Sequence, residues 1–291
     1  MTNNLELRTD NLETGTLYLV GTPIGNLEDI TFRGVRVLQS VALIAAEDTR
    51  HTGKLLQHFQ ITTPQVSYHE HNRKKRLGEL LERLQGGQDV ALVTDAGMPG
   101  ISDPGEALVR ACGSAGVRVV PIPGGTAAIS ALVCSGLPCD RFIFEGFLPS
   151  KAKTRRDQLA SLQYESRTLI FYESPHRLLS TLTDFTQTFG NNRRIVIGRE
   201  LTKLHEALWR GTIEGAIAHF QDNPPKGEFT LVVAGQETEQ PVVLSEAELK
   251  AELQQLLDQG MTRSQASRHL ANLTSASRRD LYQLTLDLNN N

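Results

Sequence analysis

Cysteine is scarce. Cys112, Cys134 and Cys139 are the three among 291 residues, and none stands in a C-x-x-C pair. An odd, scattered set excludes a disulfide framework and a cysteine-bound metal, and it fits reduced thiols of a cytoplasmic protein. Long apolar runs are missing as well. No stretch approaches the roughly 20 residues that span a bilayer, and Met1 to Asp10 is too polar for a signal peptide. Neither sign of charge dominates: 30 Lys and Arg face 33 Asp and Glu. That balance excludes a uniformly basic histone-like protein and an acidic disordered tail. With 24 Gly and 12 Pro, collagenous and low-complexity classes are excluded too.

What the chain does contain is an alternation of short apolar runs and amphipathic stretches. Thr16 to Val20, Ala42 to Ala46, Asp89 to Thr94 and Arg118 to Ile122 are strand candidates, with helical segments such as Arg73 to Leu84 and Glu106 to Cys112 between them. Strand and helix in turn predict an α/β domain with a mainly parallel sheet. After about Leu137 the pattern changes. Arg141 to Phe147, Thr168 to Tyr172, Arg194 to Leu201, Glu206 to Thr212 and Phe229 to Ala234 are strand-like, separated by two clear helices at Lys153 to Leu162 and Pro175 to Phe189. Closely spaced late strands predict antiparallel neighbours and a mixed sheet. At roughly 150 residues per domain, two domains are expected.

The expected boundaries are an extended or disordered start over 1–14, a first domain over 15–137 and a second over 138–236. Gln236 to Gln240 is a polar linker ending in Pro241. A helical appendix over 241–291 opens on a capping box at Ser245 and Glu248, with Leu249, Leu253, Leu256 and Leu257 as its apolar face. Arg263 to Leu270 and Ser275 to Leu286 are the following helices.

Three glycine-containing turns follow predicted strands. Gly21-Thr22-Pro23-Ile24-Gly25-Asn26 lets a ligand approach the backbone, although its spacing is neither G-x-G-x-x-G nor a Walker A sequence. In Thr94-Asp95-Ala96-Gly97-Met98-Pro99-Gly100-Ile101-Ser102-Asp103-Pro104-Gly105, the end reads as a helix start, with Asp103 as N-cap, Pro104 at N1 and Glu106 at N3. Asp95 through Ser102 suit the wall of a binding cavity. Pro121 to Ala128 places small residues and Thr126 at a further strand-to-helix turn. Each alone is accounted for by tight turns; three together favour one shared cavity.

Charged groups crowd other strand ends. Glu47, Asp48, Arg50 and His51 follow the second strand, and helix capping explains one of the four. His69 and His71 flank Glu70, but no further His or Cys completes a metal site. Phe171 to Arg177 and Gly198 to Glu206 add more charge, with Lys203, His205 and Glu206 equally readable as a hairpin turn. Basic residues cluster at Arg73 to Arg76, at Lys151, Lys153, Arg155 and Arg156, and at Arg263, Arg268, Arg278 and Arg279. Any one cluster reads as a solvated helix face; three together point to a polyanionic partner.

As a set, GTLYLVGTPIGNLEDIT, AAEDTRHT, TDAGMPGISDPG, PIPGGTAAISAL, FEGFLP, FYESPHR, GRELTKLHEALWRGT and KGEFTLVV resemble the ribosomal RNA small subunit methyltransferase I family of the tetrapyrrole methylase superfamily. The resemblance runs from about Gly15 to Gly235, with a weaker match in the tail. It implies two α/β domains with S-adenosylmethionine between them, 2′-O-methylation of a cytidine ribose in 16S rRNA of the small ribosomal subunit, and a homodimer. By this resemblance, cofactor contacts fall at Pro23, Ala96, Gly97, Gly100, Ile101, Ser102, Thr126 and Ala127, with Tyr172 and Thr230 from the second domain. Tetrapyrrole members often show GDP where this chain has Asp95-Ala96-Gly97, a departure that argues against a porphyrinoid substrate.

Methyl transfer from a sulfonium needs the ribose oxygen in a near-attack position and a base for its proton. Glu47, Asp48, His69 and His205 are the candidate bases, and Arg50 or Lys203 would anchor phosphate or stabilise the developing alkoxide. The sequence does not choose among them. The chemistry calls for no metal. The same fold could instead methylate a small tetrapyrrole or a protein residue, or bind RNA without catalysis.

Overall fold

The computed structural model describes residues 14–236 and 244–288. The expected extended start and polar linker therefore lie outside the described residues, apart from residues 14 and 236. The chain forms two compact units, which divide at Gly235 and Gln236.

The larger unit opens with five strands: β1 (Thr16–Val20), β2 (Leu43–Ala46), β3 (Gln65–Ser67), β4 (Val90–Val93) and β5 (Arg118–Ile122). All neighbours pair in parallel, in the order β3-β2-β4-β1-β5. The β-rich runs in β2 and β4 are buried at every position, as a sheet covered on both faces requires. One face packs Leu17, Leu43 and Leu92 against Leu80, Leu84 and Leu108. The other packs Val20, Ile44 and Ile122 against Val37, Leu38 and Leu56. The covering helices are α1 (Phe32–Ser40), α2 (Thr49–His58), α3 (Arg73–Gln85) and α4 (Glu106–Ser114), whereas α5 (Ala127–Ser135) packs Ala128, Ala131 and Leu132 against Ile170, Val196 and Val232 of the second sheet.

The second sheet contains β6 (Phe142–Phe147), β7 (Thr168–Glu173), β8 (Arg194–Arg199), β9 (Ala207–Thr212) and β10 (Phe229–Val233), in the order β6-β7-β10-β8-β9. β6 and β7 are parallel and the other pairs antiparallel, which is the expected mixed sheet. Its helices are α6 (Ala152–Ser161), α7 (Leu178–Phe189) and α8 (Ile213–Asp222). The last departs from the two-helix expectation. Thr212 ends β9 and also caps α8, accepting from the Gly215 N–H at 3.2 Å, so strand passes to helix with no turn residue to mark the change. α7 starts at Leu178 rather than Pro175, because a turn from Ser174 to Arg177 precedes it.

Arg155 and Asp184 join α6 to α7 through a buried ion pair of 2.6 Å. Arg155 thus leaves the basic cluster foreseen for a polyanion: its guanidinium is taken up inside the fold.

The smaller unit has three helices, α9 (Glu246–Asp258), α10 (Arg263–Leu273) and α11 (Arg278–Asp287). The expected capping box at Ser245 and Glu248 is present, and Thr262 with Gln265 forms a second. Ser277 accepts from the Asp280 N–H, which starts α11 three residues later than expected. Leu249, Leu253, Ala266, Leu270 and Leu281 make its core. Among the described residues, no helix is long and apolar enough to cross a membrane.

Asp184→Ala should cost about 3–5 kcal/mol, because it strands a buried guanidinium. Urea unfolding checks this, and the double change Arg155→Leu with Asp184→Leu should recover most of the loss.

Candidate active site

In the first sheet every strand points the same way, so the loops after β1, β2, β4 and β5 converge at its carboxyl edge. Thr22 and Gly97 form an isolated antiparallel bridge, with N–H to O distances of 2.9 and 3.1 Å, that ties the loop after β1 to the loop after β4. Buried Thr22 also donates its hydroxyl to the Thr94 carbonyl at 3.0 Å. Gly21 and Gly124 meet back to back: a Cβ on Gly124 would stand 2.7 Å from the Gly21 Cα. Gly97 and Gly100 take positive φ of 89° and 86°, as glycine allows, and Ser102 is held at 62°.

These loops enclose a cavity of about 400 Å³. Ala96, Gly97, Ile101, Ser102, Thr126 and Ala127 all line it, as do Tyr172 and Thr230 from the second sheet. Pro23 and Gly100 do not: Pro23 follows the Thr22 bridge, and its neighbour Ile24 faces the cavity instead. The Tyr172 hydroxyl accepts from the Ala128 N–H at 3.1 Å, so a second-sheet strand caps the first turn of α5. Burial pushes the Tyr172 phenol up, which keeps it protonated. Its ring packs on Phe144 and Phe147 at 5.0 and 5.5 Å.

Next to it, buried Glu173 accepts from the Ser174 N–H, the Arg177 Nε and the Thr181 hydroxyl at 2.7, 2.9 and 2.7 Å. The FYESPHR motif is therefore largely a bracket that fixes the end of β7, with its carboxylate already satisfied.

The candidate catalytic residues separate sharply. Glu47 lines the cavity, and its carboxylate accepts from the Asp95 N–H at 3.3 Å. Asp95, also in the wall, accepts in return from the Asp48 N–H at 3.2 Å. Asp48 caps α2 and pairs with Arg50 at 2.6 Å, and the Arg50 guanidinium holds its carboxyl far below the usual range. Both side chains are engaged with each other outside the cavity. Lys203 lies against Gly25 and bridges Glu200 and Glu228 at 2.9 and 3.0 Å; of these, Glu228 reaches the cavity. His205 is exposed and lines no cavity described here. His69 lies in a neighbouring cavity of about 430 Å³ together with His71, the two rings 6.0 Å apart. Among the described residues, no group of three or more His, Cys, Asp and Glu is placed to hold a metal.

Asp103 corrects the sequence reading. It was expected to cap a helix, yet α4 begins at Glu106 after Gly105 and has no side-chain cap. Asp103 instead turns inward, accepts from the Thr94 hydroxyl at 2.9 Å and lines the cavity. Burial, with Glu47 and Asp95 nearby, pushes its carboxyl up to about 6. The D-P-x-E signature hid it, since the same residues are the usual sign of a cap.

The cavity suits a flat ligand with both charges. Ile24, Met98 and Ile101 are apolar; Glu47, Asp95 and Asp103 are acidic. Thr126 and Ala127 line the cavity at the N-terminus of α5, where the free N–H groups and the helix dipole favour a carboxylate. S-Adenosylmethionine, with an aromatic base, two cationic centres and a carboxylate, matches that set.

The Tetrapyrrole (Corrin/Porphyrin) Methylases family model matches residues 16–217. The ribosomal RNA small subunit methyltransferase I of Synechocystis sp. is 61% identical over 94% of this chain and 98% of its own length. That of Pseudomonas aeruginosa is 48% identical over 94% and 98%. Among solved structures, a cobalt precorrin-4 methyltransferase aligns with a TM-score of 0.56 at 16% identity, over 75% of this chain and 94% of its own. The uroporphyrin-III-C-methyltransferase of Thermus thermophilus gives 0.55 at 22%, over 76% and 94%. At these identities the two structures show a shared fold. With a family model across most of the chain and near full-length relatives at this identity, the chain belongs to the ribosomal RNA small subunit methyltransferase I family of the tetrapyrrole methylases.

Proposed function

We propose that this protein transfers a methyl group from S-adenosylmethionine to the 2′-hydroxyl of a cytidine in 16S rRNA of the small ribosomal subunit. The observation that carries the reading is the cavity at the carboxyl edge of the parallel sheet, lined by the resembling motifs of both sheets in a chain of this family. Its substrate is RNA in this reading, in keeping with those relatives' name.

Ala96, Gly97, Ile101, Ser102, Thr126, Ala127, Tyr172 and Thr230 would hold the cofactor; Pro23 and Gly100 would act by shaping the loops behind it. Bound there, S-adenosylmethionine supplies an electrophilic methyl on a positively charged sulfur. Glu47, Asp95 and Asp103 offset cationic charge in the wall, and the apolar side chains restrict water. His69 stands in the adjoining cavity. Asp48, Arg50, Lys203 and His205 act outside the reacting centre in this reading, through pairing or contact with flanking phosphate.

A ribose enters such a cleft when its nucleotide is splayed from the stack. Exposed Arg268, Arg278 and Arg279 in the helical unit would meet flanking phosphates. The protein would work in the cytoplasm as a homodimer; exposed Ile129 and Val133, one turn apart on α5, are apolar surface that a second copy would cover.

Incubation with labelled S-adenosylmethionine and small subunits lacking the modification should place label in 2′-O-methylcytidine after digestion. Label in protein or small-molecule fractions alone would refute the reading. Affinity for the subunit should fall steeply with salt, through counterion release. Changing Arg268 and Arg278 to Ala should reduce the slope of log K against log salt by roughly 1 to 2.

A further inference from the structure

A further cavity, of about 260 Å³, opens between the edge strand β9 and α8. Strand alternation builds its floor. Ala207, Trp209 and Gly211 share one face of β9, and Trp209 sits opposite Ile197 of β8. Ala207 and Gly211 offer little or no side chain, so the strand leaves the indole half-buried rather than covered. Gly211 also makes room for the ring: a Cβ there would stand 2.5 Å from it. From α8, His219 stacks on the indole, with centroids 5.7 Å apart and planes at 27°. Pro224 and Pro225 stiffen the rim.

The polar groups around this platform select a ligand. No acid lines the cavity, in contrast to the two described above. Asp222 lies on α8 near its end but lines no part of it. Arg199 stands in the wall, and its Nε donates to the Lys226 carbonyl at 2.8 Å. That bond fixes the guanidinium plane and leaves the terminal nitrogens as donors. Glu200, next in sequence, is taken up by Lys203 and the Glu228 N–H, each at 2.9 Å. Asn223 donates its amide to the His219 carbonyl at 3.0 Å, which leaves its Oδ1 as an acceptor. Stacked rings, a fixed cation and an amide acceptor match the face and the edge of a nucleobase. An organic cation would be repelled by Arg199, and a bare anion would make no use of the rings.

The place of the cavity says which base. Gly198 lines the cofactor cavity and Arg199 lines this one. Successive strand residues point to opposite faces, so the two cavities lie back to back across the end of β8. The ribose that receives the methyl belongs on the cofactor side. A base on the other side comes from a neighbouring nucleotide, on a strand that rounds the end of β8.

We propose that the cavity between β9 and α8 binds a base of the RNA flanking the methylated nucleotide, stacked on Trp209 and His219 and held at its edge by Arg199 and Asn223. The proposal rests on the rRNA methylation reading given above. It makes this cavity a determinant of which RNA is methylated, separate from the chemistry of transfer.

Trp209 is the single tryptophan of the chain, so its fluorescence reports on this cavity. A short single-stranded RNA should quench it saturably, whereas inorganic polyphosphate of matched charge should not. Steady-state methylation of small subunits lacking the modification gives the second readout. Trp209→Leu keeps an apolar side chain on the core beneath but removes the stacking surface. It should raise KM for the subunit by about 5- to 100-fold with kcat little changed. Trp209→Phe should stay close to wild type, and Arg199→Gln should raise KM as well. S-Adenosylhomocysteine affinity, measured by calorimetry, should be the same in all of them, which also shows that they fold.

An active wild type whose emission ignores RNA, or responds equally to polyphosphate, overturns this proposal alone. So does a folded Trp209→Leu that keeps the wild-type KM. Emission that shifts with protein concentration and not with RNA assigns the cavity to a second copy of the chain and overturns it too. A wild type that labels no RNA overturns the parent reading and this proposal with it.

Discussion

Two main-chain hydrogen bonds between Thr22 and Gly97 hold the site together. They join loops that leave neighbouring strands β1 and β4, and the Thr22 hydroxyl adds a third tie to the Thr94 carbonyl. Once joined, they set where Ile24 and Met98 face, and therefore where the cavity has its apolar wall. Parallel strands make this possible. Every loop that matters leaves the same edge, so one bridge can position several chemical groups.

The second dependence is electrostatic. Glu47, Asp95 and Asp103 share one wall, and the first two accept across loops, from the Asp95 N–H and the Asp48 N–H, while Asp103 accepts from the Thr94 hydroxyl of its own loop. The contacts of Glu47 and Asp95 also cross-link the loops that follow β2 and β4. Asp103 bears a cost, since burial pushes it towards neutrality.

Much of this was legible in the residues. Buried apolar runs ending in glycine-rich turns predicted the parallel sheet and the convergence of TPIG, DAGMPG and PGGT, because strand burial and turn chemistry are local properties. Closely spaced late strands predicted the mixed sheet. What local pattern could not show was how polar groups pair across the fold. Asp103-Pro104 reads as a helix cap, yet its side chain goes to Thr94 nine residues back. Arg155 reads as one of a surface cluster, yet it is buried against Asp184. α8 was hidden because Thr212 serves strand and helix at once. His205 and Asp48 carry the right chemistry for a base, but one is exposed and the other is taken up by Arg50 two residues on.

The close approach of Gly21 and Gly124 has a consequence for how such a chain can change over time. Each backbone occupies the space that the other's side chain would need. Alanine at one cannot be made room for by shrinking the other, which has nothing left to remove. The two positions therefore share a single veto on substitution, although 102 residues of chain lie between them. This junction can be widened only by moving the loops after β1 and β5 apart, and with them Ile24 and Thr126 in the cavity wall.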